Sequence, residues 1–298
     1  MRILVLQHEE IEHLGVFREF LGMDGATWQV AELDRGEPIP PLDPYDAMIV
    51  MGGPQNVWQE DRYPWLRDEK DAIRRFVVDM RRPFFGICLG HQLLADALGG
   101  SVQPARFPER GLHRVSKTEE GTRDPVLREL SDPFTVFQWH GAEVVALPPG
   151  ATVLAANEAC AVQAFRYGDR AYGVQFHIEV TKETVADWAP HIEKVMSGLS
   201  SRMRSTPPIR NCTGSHAPLT TISRLYGPEP RPSPRIPSEQ ASLAGCKHHD
   251  DRAQAQQHDD AADQKHQYLI RNVFGHNRRE GRGDDAPDDE AGDDRPQA

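Results

Sequence analysis

The chain has 298 residues, of which only 38% are hydrophobic, and its 45 acidic and 34 basic residues give a formal net charge of −11. The acidic excess lies before residue 200, with 30 acidic against 20 basic residues. This charge disfavours binding to nucleic acid or to an anionic membrane, since both need clustered Lys and Arg. Only 10 of the last 98 residues are Leu, Ile, Val or Phe. We therefore predict a globular domain over residues 1–198 and a low-complexity, disordered tail over 199–298.

The sequence carries no obvious targeting or metal-binding signal. It has no run of about 18 apolar residues, and the apolar start of the chain is too short for the core of a signal peptide. We therefore expect a cytoplasmic protein that does not contact membranes. The four cysteines, Cys88, Cys160, Cys212 and Cys246, are scattered and form no C-x-x-C pair. This pattern predicts neither a disulfide framework nor a zinc site, and we expect no metal and no cofactor.

Over the first 100 residues, short apolar runs alternate with amphipathic stretches, which is typical of βα units. The runs predicted as strands are Ile3–Leu6, Ala47–Met51 and Pro83–Ile87. The stretches with helical spacing, predicted as helices, are Glu10–Leu21, Trp65–Met80 and Leu89–Leu98. The sequence therefore predicts an α/β fold with an open, mostly parallel sheet flanked by helices.

From residue 101 onwards, short β-type runs are separated by Pro and Gly. These runs are Thr135–Phe137, Val144–Leu147, Thr152–Ala155 and Ala171–Phe176. A helix from Lys182 to about Met196 is expected to close the domain. Beyond residue 200, prolines and then Gln, His and Asp dominate without periodicity, which predicts disorder.

One cysteine lies between two glycines where a predicted strand meets a predicted helix. Gly86, Cys88 and Gly90 form a G-x-nucleophile-x-G pattern, in which small residues permit a sharp, strained turn. At the start of a helix, the helix dipole favours the thiolate. We interpret Cys88 as a nucleophile, and the alternative is a small buried apolar residue.

A thiolate that attacks an acyl group needs a base, a carboxylate that orients the base, and an oxyanion hole. His177 and Glu179 are two residues apart in an extended run, so their side chains leave the same face and Glu179 can fix the imidazole tautomer. The backbone N–H of Leu89, directly after the nucleophile, is one predicted oxyanion donor. Gly52 and Gly53 end another predicted strand and can supply a second donor, although an ordinary strand-ending turn is the alternative.

Three segments together resemble the signatures of class I (triad) glutamine amidotransferases. They are Gly86–Gln92, Gly52–Pro54 and Gln175–Glu179, and the resemblance extends over roughly residues 1 to 190. Within that family, Asp61–Leu66 and Leu93–Gly99 are similar to stand-alone proteins that resemble the amidotransferase domain of GMP synthase. The resemblance implies a flavodoxin-like arrangement of the sheet.

The resemblance also implies a reaction and roles for particular residues. Cys88 would attack the side-chain amide of glutamine to form a γ-glutamyl thioester, with His177 as acid and base and Glu179 as its orienting partner. Gly53 and Leu89 would form the oxyanion hole. Residues implied to contact or line the glutamine pocket are Gly52, Gln92, Gln138, Trp139 and His140. We interpret His91 as a structural residue of the motif.

The chain departs from the family pattern at Ile178, where the family usually has proline between the triad histidine and glutamate. Loss of that ring loosens the turn but removes no catalytic group, so we expect a modest effect on rate. No loop for nucleotide activation is visible, so the ammonia would pass to a separate synthase. Two alternatives stay open: a hydrolase of γ-glutamyl amides or peptides that uses the same residues, and a non-catalytic regulatory homologue.

Overall fold

A computed structural model describes residues 1–181, 184, 185, 188 and 272–274. Within these residues the strands are β1 Arg2–Gln7, β2 Thr27–Glu32, β3 Ala47–Val50, β4 Phe84–Ile87, β5 Ser101–Lys117, β6 Phe134–Ala146, β7 Ala151–Ala156, β8 Ala164–Tyr167 and β9 Ala171–Val174. The helices are α1 Phe17–Met23, α2 Trp65–Arg74, α3 Leu89–Ala97 and α4 Glu119–Arg123. A π-helical turn, Arg75–Asp79, continues α2, and a 3₁₀ turn lies at Leu33–Arg35.

The strands form one sheet in the order β2-β1-β3-β4-β9-β8-β7-β5-β6. The first five strands in this order, β2-β1-β3-β4-β9, are all parallel. The remaining neighbours pair antiparallel, and β5 and β6 form a long two-stranded arm. The predicted open α/β sheet with flanking helices is confirmed, and the antiparallel extension makes the whole sheet mixed.

The apolar strands are buried on both faces, as expected for parallel strands covered by helices. In β1, Ile3 and Val5 face one core with Phe17 of α1, while Leu4 and Leu6 face a second core with Leu93 of α3. All four β1 side chains are fully buried. The alternation follows from the two-residue period of a strand, so a continuous apolar run supplies both cores at once.

The predicted helix over Glu10–Leu21 is wrong in its first half, because α1 begins only at Phe17. The preceding loop instead packs against the chain around Glu179, where the Val16 N–H donates to the Glu179 carbonyl oxygen at 2.9 Å. Gly15 has a φ of +50°, and a Cβ there would overlap that same carbonyl oxygen. A tertiary contact therefore decides the conformation of residues 10–16, against their helical spacing.

The separate runs predicted at Thr135–Phe137 and Val144–Leu147 belong to the single strand β6. Its partner β5 is absent from the prediction, as are β2 and β8. Pro104 and Gly111 in β5 resemble strand-breaking signals, but the pairing with β6 accommodates the proline by a register shift between Pro104 and Glu109. The partner strand therefore overrides the local signal in this arm.

The predicted closing helix, Lys182–Met196, lies mostly outside the described residues, although Thr184, Val185 and Trp188 are helical. The predicted tail also lies outside them, except for residues 272–274, which are helical. Val273 and Phe274 are buried in the same core as Phe17. The boundary at residue 198 stays a prediction. No helix in the described part of the chain is long and apolar enough to cross a bilayer.

Candidate active site

Cys88 occupies a strained turn between β4 and α3. Its φ of 51° and ψ of −100° lie outside the regions that L-residues favour. A Cβ at Gly86 would overlap the Gly90 carbonyl oxygen, and a Cβ at Gly90 would overlap the Val50 carbonyl oxygen. Both flanking glycines are therefore required by close backbone packing. The turn is fixed by the Cys88 N–H, which donates to the Val174 carbonyl oxygen of β9 at 2.9 Å.

The neighbouring strand β9 leads into His177 and Glu179. His177 Nδ1 donates to Glu179 Oε1 at 2.7 Å, and the Ile178 N–H donates to Glu179 Oε2 at 2.9 Å. These contacts fix the carboxylate and direct the opposite ring nitrogen away from it. That nitrogen, Nε2, is buried and has no oxygen or nitrogen partner in the described part of the chain. It is the ring atom left for the Cys88 thiol, which acts on this imidazole.

The His177 ring is favoured in its charged form. Burial alone lowers the pKa of His177, but the Glu179 carboxylate and the Cys88 thiol outweigh this effect and raise the pKa well above its ordinary value. A base held between a carboxylate and a thiol stabilises a thiolate–imidazolium pair, which is the reactive form of a cysteine nucleophile.

Besides His177, two polar groups among the described residues contact the Cys88 sulfur. The thiol lies 3.8 Å from the Trp139 carbonyl oxygen, and Gln175 Nε2 lies 3.7 Å from Sγ as a donor. Gln92 Nε2 donates to Gln175 Oε1 at 3.0 Å and to the Ala142 carbonyl oxygen at 3.1 Å. The amide nitrogen of Gln92 is thus used within the protein.

The glycines at the end of β3 lie beside His177 and Leu89. An added Cβ at Gly52 would lie 3.1 Å from His177 Cε1, and one at Gly53 would lie 3.0 Å from Leu89 Cδ2. Three segments that are distant in sequence, Gly52–Gly53, Cys88–Leu89 and His177–Glu179, therefore meet at the carboxyl edge of the parallel strands. This edge is where open α/β sheets bind ligands.

The predicted pocket residues of β6 divide into two groups. Trp139 reaches the thiol through its carbonyl oxygen, whereas Gln138 and His140 enter a buried polar network. Gln138 Nε2 donates to Gln163 Oε1 at 2.7 Å. His140 lies with Nε2 3.1 Å from Glu109 Oε2 and Nδ1 3.0 Å from the Ala142 carbonyl oxygen, so neither ring nitrogen is left for a substrate.

His91 lies beneath the catalytic turn, packed against β9 and β8. It is fully buried, and its ring makes an edge contact with Phe165 at 5.0 Å between centroids. Burial lowers the pKa of His91 to about 3. The ring is therefore neutral.

Sequence reasoning missed two side chains that touch the His177 ring. Glu12 Oε2 lies 4.0 Å from His177 Nδ1, and burial, with the nearby Glu179 charge, raises the pKa of Glu12 to about 7 against the opposing effect of His177. Trp188 makes an edge contact with His177 at 4.9 Å, and its Nε1 donates to the Ile11 carbonyl oxygen at 2.9 Å. No local signal in the sequence marks either residue as part of the site. Glu12 lies in a stretch whose spacing predicts an ordinary helix.

Glu12, His177 and Glu179 place three groups that can ligate a metal within 4.8 Å of one another. His177 Nδ1 and Glu179 Oε1 are already joined at 2.7 Å, and Glu179 Oε2 accepts from a backbone N–H. The ligand atoms of His177 and Glu179 are thus already hydrogen-bonded within the protein, and this arrangement suits proton transfer. A separate open cleft of about 490 Å³ lies at the amino ends of β4 and β9, around Arg82 and Asp169, and holds none of the predicted site residues.

An open α/β sheet with a cysteine elbow beside a His–Glu pair defines the class of protein. A sequence model of the family described as "Glutamine amidotransferase class-I" matches residues 21–187, which is more than half of the chain. The chain belongs to this family. It is similar to the glutamine amidotransferase-like protein YfeJ of Salmonella typhimurium, with 35% identity over 201 residues that cover 66% of this chain and 83% of YfeJ.

The chain is also similar to the A subunit of GMP synthase. The subunit from Sulfurisphaera tokodaii is 41% identical over 145 residues, covering 48% of this chain and 72% of that subunit. Among solved structures, a glutamine amidotransferase from Thermotoga maritima superposes with a TM-score of 0.66 at 26% identity, covering 92% of this chain and 98% of that one. A glutamine amidotransferase from Methylobacillus flagellatus gives 0.59 at 31% identity, covering 63% and 74%.

Proposed function

We propose that this protein hydrolyses the side-chain amide of glutamine through a γ-glutamyl thioester on Cys88 and releases ammonia for a separate synthase. The observation that carries the proposal is the buried His177 ring, with Nδ1 fixed by Glu179 at 2.7 Å and Nε2 left for the Cys88 thiol. The family to which the chain belongs and its similarity to GMP synthase A subunits support the same reaction.

In the first half of the reaction, His177 Nε2 accepts the Cys88 proton and the thiolate attacks the amide carbon of glutamine. The N–H groups of Gly53 and Leu89 stabilise the negative oxygen of the tetrahedral intermediate. His177 then gives its proton to the amide nitrogen, the carbon–nitrogen bond breaks, and ammonia leaves. Glu179 stabilises the imidazolium throughout and holds its orientation.

In the second half, His177 accepts a proton from water, which attacks the thioester carbonyl. The carbon–sulfur bond breaks, glutamate is released, and the Cys88 sulfur takes back its proton from His177. Gly52 and Trp139 line the substrate side of the thiol in this proposal, and Gln92 contacts glutamine through its carbonyl oxygen. The acceptor of the ammonia lies in a partner chain, as the separate A subunits of related GMP synthases suggest.

The experiment combines labelling of the thiol with an assay of ammonia release. The protein is incubated with 6-diazo-5-oxo-norleucine and mapped by mass spectrometry, and ammonia release from glutamine is measured in parallel. Cys160 provides a matched control, because it is also a buried cysteine of the domain and burial raises the pKa of its thiol to about 12. We expect an adduct on Cys88, no ammonia release by Cys88→Ala, and full release by Cys160→Ala.

Three other outcomes of these assays would contradict the proposal or favour an alternative function. Ammonia release that persists in Cys88→Ala would contradict the proposal. An adduct on Cys88 without ammonia release would favour the γ-glutamyl amide or peptide hydrolase, or a glutaminase site that becomes active only with its partner chain. Neither adduct nor release, in a protein with native circular dichroism, would favour the non-catalytic homologue.

A further inference from the structure

A second buried histidine lies directly behind the glycine loop of the site. His8, just after β1, is fully buried, with Nδ1 2.9 Å from the Gly52 carbonyl oxygen and Nε2 2.8 Å from Glu69 Oε1. A peptide carbonyl only accepts hydrogen bonds, so Nδ1 carries a proton and donates to Gly52. Glu69 lies on α2, 61 residues further along the chain, and is also fully buried.

Further neighbours hold the ring and the backbone of His8. It stacks on Trp65 with centroids 5.5 Å apart and an interplanar angle of 14°. Gln55 Nε2 donates to the His8 carbonyl oxygen at 3.2 Å. An added Cβ at Gly53 would lie only 2.8 Å from His8 Cβ. His8 thus contacts Gly52 and lies close beside Gly53.

Burying a histidine–carboxylate pair costs desolvation free energy. Burial lowers the pKa of His8, but the Glu69 carboxylate outweighs it and raises that pKa, which favours the charged ring. Replacing a buried ion pair by apolar residues of similar volume is often neutral or stabilising. The pair therefore calls for a role beyond packing, and its one contact outside the pair through a ring nitrogen is the Gly52 carbonyl.

The Gly52 carbonyl and the Gly53 N–H belong to the same planar trans peptide unit, so they point in opposite directions. We propose that His8, backed by Glu69, holds this peptide in the orientation that directs the Gly53 N–H at the tetrahedral intermediate. His8 and Glu69 are thus positioning residues of the oxyanion hole. The inference rests on the proposed function, since it takes the Gly53 N–H as an oxyanion donor.

If His8 positions the oxyanion hole, its loss should slow amide hydrolysis and leave alkylation of Cys88 unchanged. Hydrolysis of an amide needs the oxyanion hole, whereas alkylation of Cys88 by iodoacetamide displaces iodide and needs only the thiolate. In His8→Leu we expect kcat to fall roughly 100-fold, the loss typical of one misplaced oxyanion donor, with KM changed little. The rate of alkylation should stay at the wild-type value.

Two further variants test the same geometry. His8→Asn places an amide N–H near the position of Nδ1 and is expected to recover at least roughly tenfold of the lost kcat. Glu69→Met removes the acceptor behind the ring at similar volume, and should lower kcat roughly tenfold in the manner of other outer-shell carboxylates. Glu69→Met also keeps the test open if His8→Leu fails to fold.

Glutamate γ-semialdehyde separates this inference from the proposed function. Its aldehyde adds to the Cys88 thiol as a hemithioacetal, whose oxygen occupies the oxyanion position. We expect tight binding by the wild type, binding weakened roughly 100-fold in His8→Leu, and partial recovery in His8→Asn.

Equal affinity for wild type and folded His8→Leu would overturn the inference alone. A wild type that forms no hemithioacetal would overturn the proposed function, and the inference with it. Alkylation that slows in parallel with hydrolysis would also overturn the inference, because it would place the defect at the thiol.

Discussion

Two regions of the molecule hold a buried histidine beside a glutamate, with opposite consequences. At the carboxyl edge of the parallel strands, His177 contacts Glu179 at 2.7 Å and leaves Nε2 without an oxygen or nitrogen partner among the described residues. In the β5–β6 arm, His140 contacts Glu109 at 3.1 Å, but its second nitrogen meets a backbone carbonyl. The same pair is thus available for chemistry in one region and structural in the other.

The surroundings of the two glutamates explain the difference. Glu109 accepts hydrogen bonds from Asn157 at 2.7 Å and Gln163 at 2.6 Å as well as contacting His140. At the carboxyl edge of the parallel strands, by contrast, His177 Nε2 and Glu12 Oε2 are buried without a hydrogen-bond partner among the described residues. A satisfied network rigidifies a fold, whereas an unpaired buried group is destabilising unless a ligand or a reaction uses it. The unpaired His177 Nε2, more than the His–Glu contact itself, distinguishes this pair from the His140–Glu109 pair.

The comparison predicts the largest difference for matched histidine substitutions. In His177→Gln we expect ammonia release to fall by roughly 1,000-fold or more, because the base is lost. In His140→Gln we expect kcat and KM within a few-fold of the wild type. Steady-state kinetics on both variants checks this. A KM raised strongly in His140→Gln would break the comparison and return His140 to the glutamine pocket.

The next prediction concerns stability. In Glu109→Gln we expect a loss of about 2 kcal/mol in the free energy of unfolding near neutral pH, since buried donors lose a charged acceptor. Hydrogen bonds from His140 and Asn157 outweigh burial and lower the pKa of Glu109 below 4.5. Its stabilisation is therefore present above pH 4.5 and is lost as the pH falls through the lowered pKa.

Urea unfolding at a series of pH values measures this dependence. The difference between wild type and Glu109→Gln should shrink as the solution is acidified. Glu119→Gln, at an exposed glutamate of α4, is the control and should change little. A gap that widens on acidification would contradict the assigned state of Glu109.

A smaller effect is predicted at Glu12, whose pKa is raised to about 7. As the pH rises through 7, Glu12 loses its proton and adds a negative charge 4.0 Å from His177 Nδ1, which favours the imidazolium and hence the thiolate. The rate of Cys88 alkylation should therefore contain a step near pH 7, less than roughly tenfold in height.

Glu12→Gln should remove that step and leave the rate at its low-pH level. Glu10→Gln, at an exposed position of the same loop, is the matched control and should keep the step. Identical pH profiles for the two variants would show that Glu12 does not act on His177, and would leave Glu179 as the carboxylate that does.

The smallest effect is expected at Ile178, where the family usually has proline. The Ile178 N–H donates to Glu179 Oε2 at 2.9 Å, and a proline has no N–H to donate. Ile178→Pro should therefore lower stability by about 1 kcal/mol and leave kcat within a few-fold of the wild type. Ile178→Val keeps the N–H and serves as the control in thermal unfolding and kinetics. A more stable Ile178→Pro would show that the rigid ring outweighs the lost hydrogen bond.

Local signals in the sequence were sufficient where a segment carries its own constraint. The runs at β1, β3 and β4 are apolar on both faces, so their strands and their burial follow from residue type alone. The turn at Cys88 needs small neighbours, and Gly86 and Gly90 show this requirement in the sequence itself. The two-residue spacing of His177 and Glu179 predicts their pairing, although β9 ends at Val174 and both residues lie beyond the regular strand.

Only the tertiary structure decided the features that depend on a distant partner. Residues 10–16 have helical spacing but form a loop, because this loop contacts Glu179. The segment of β5 forms a strand because it pairs with β6. Glu12 and Trp188 reach His177, and Glu69 reaches His8, from parts of the chain that share no pattern with their targets. Whether a buried histidine is reactive or structural likewise depends on the acceptor that meets its second nitrogen. That acceptor is set by packing between elements, since a hydrogen bond depends on distance in space and the sequence pattern records only distance along the chain.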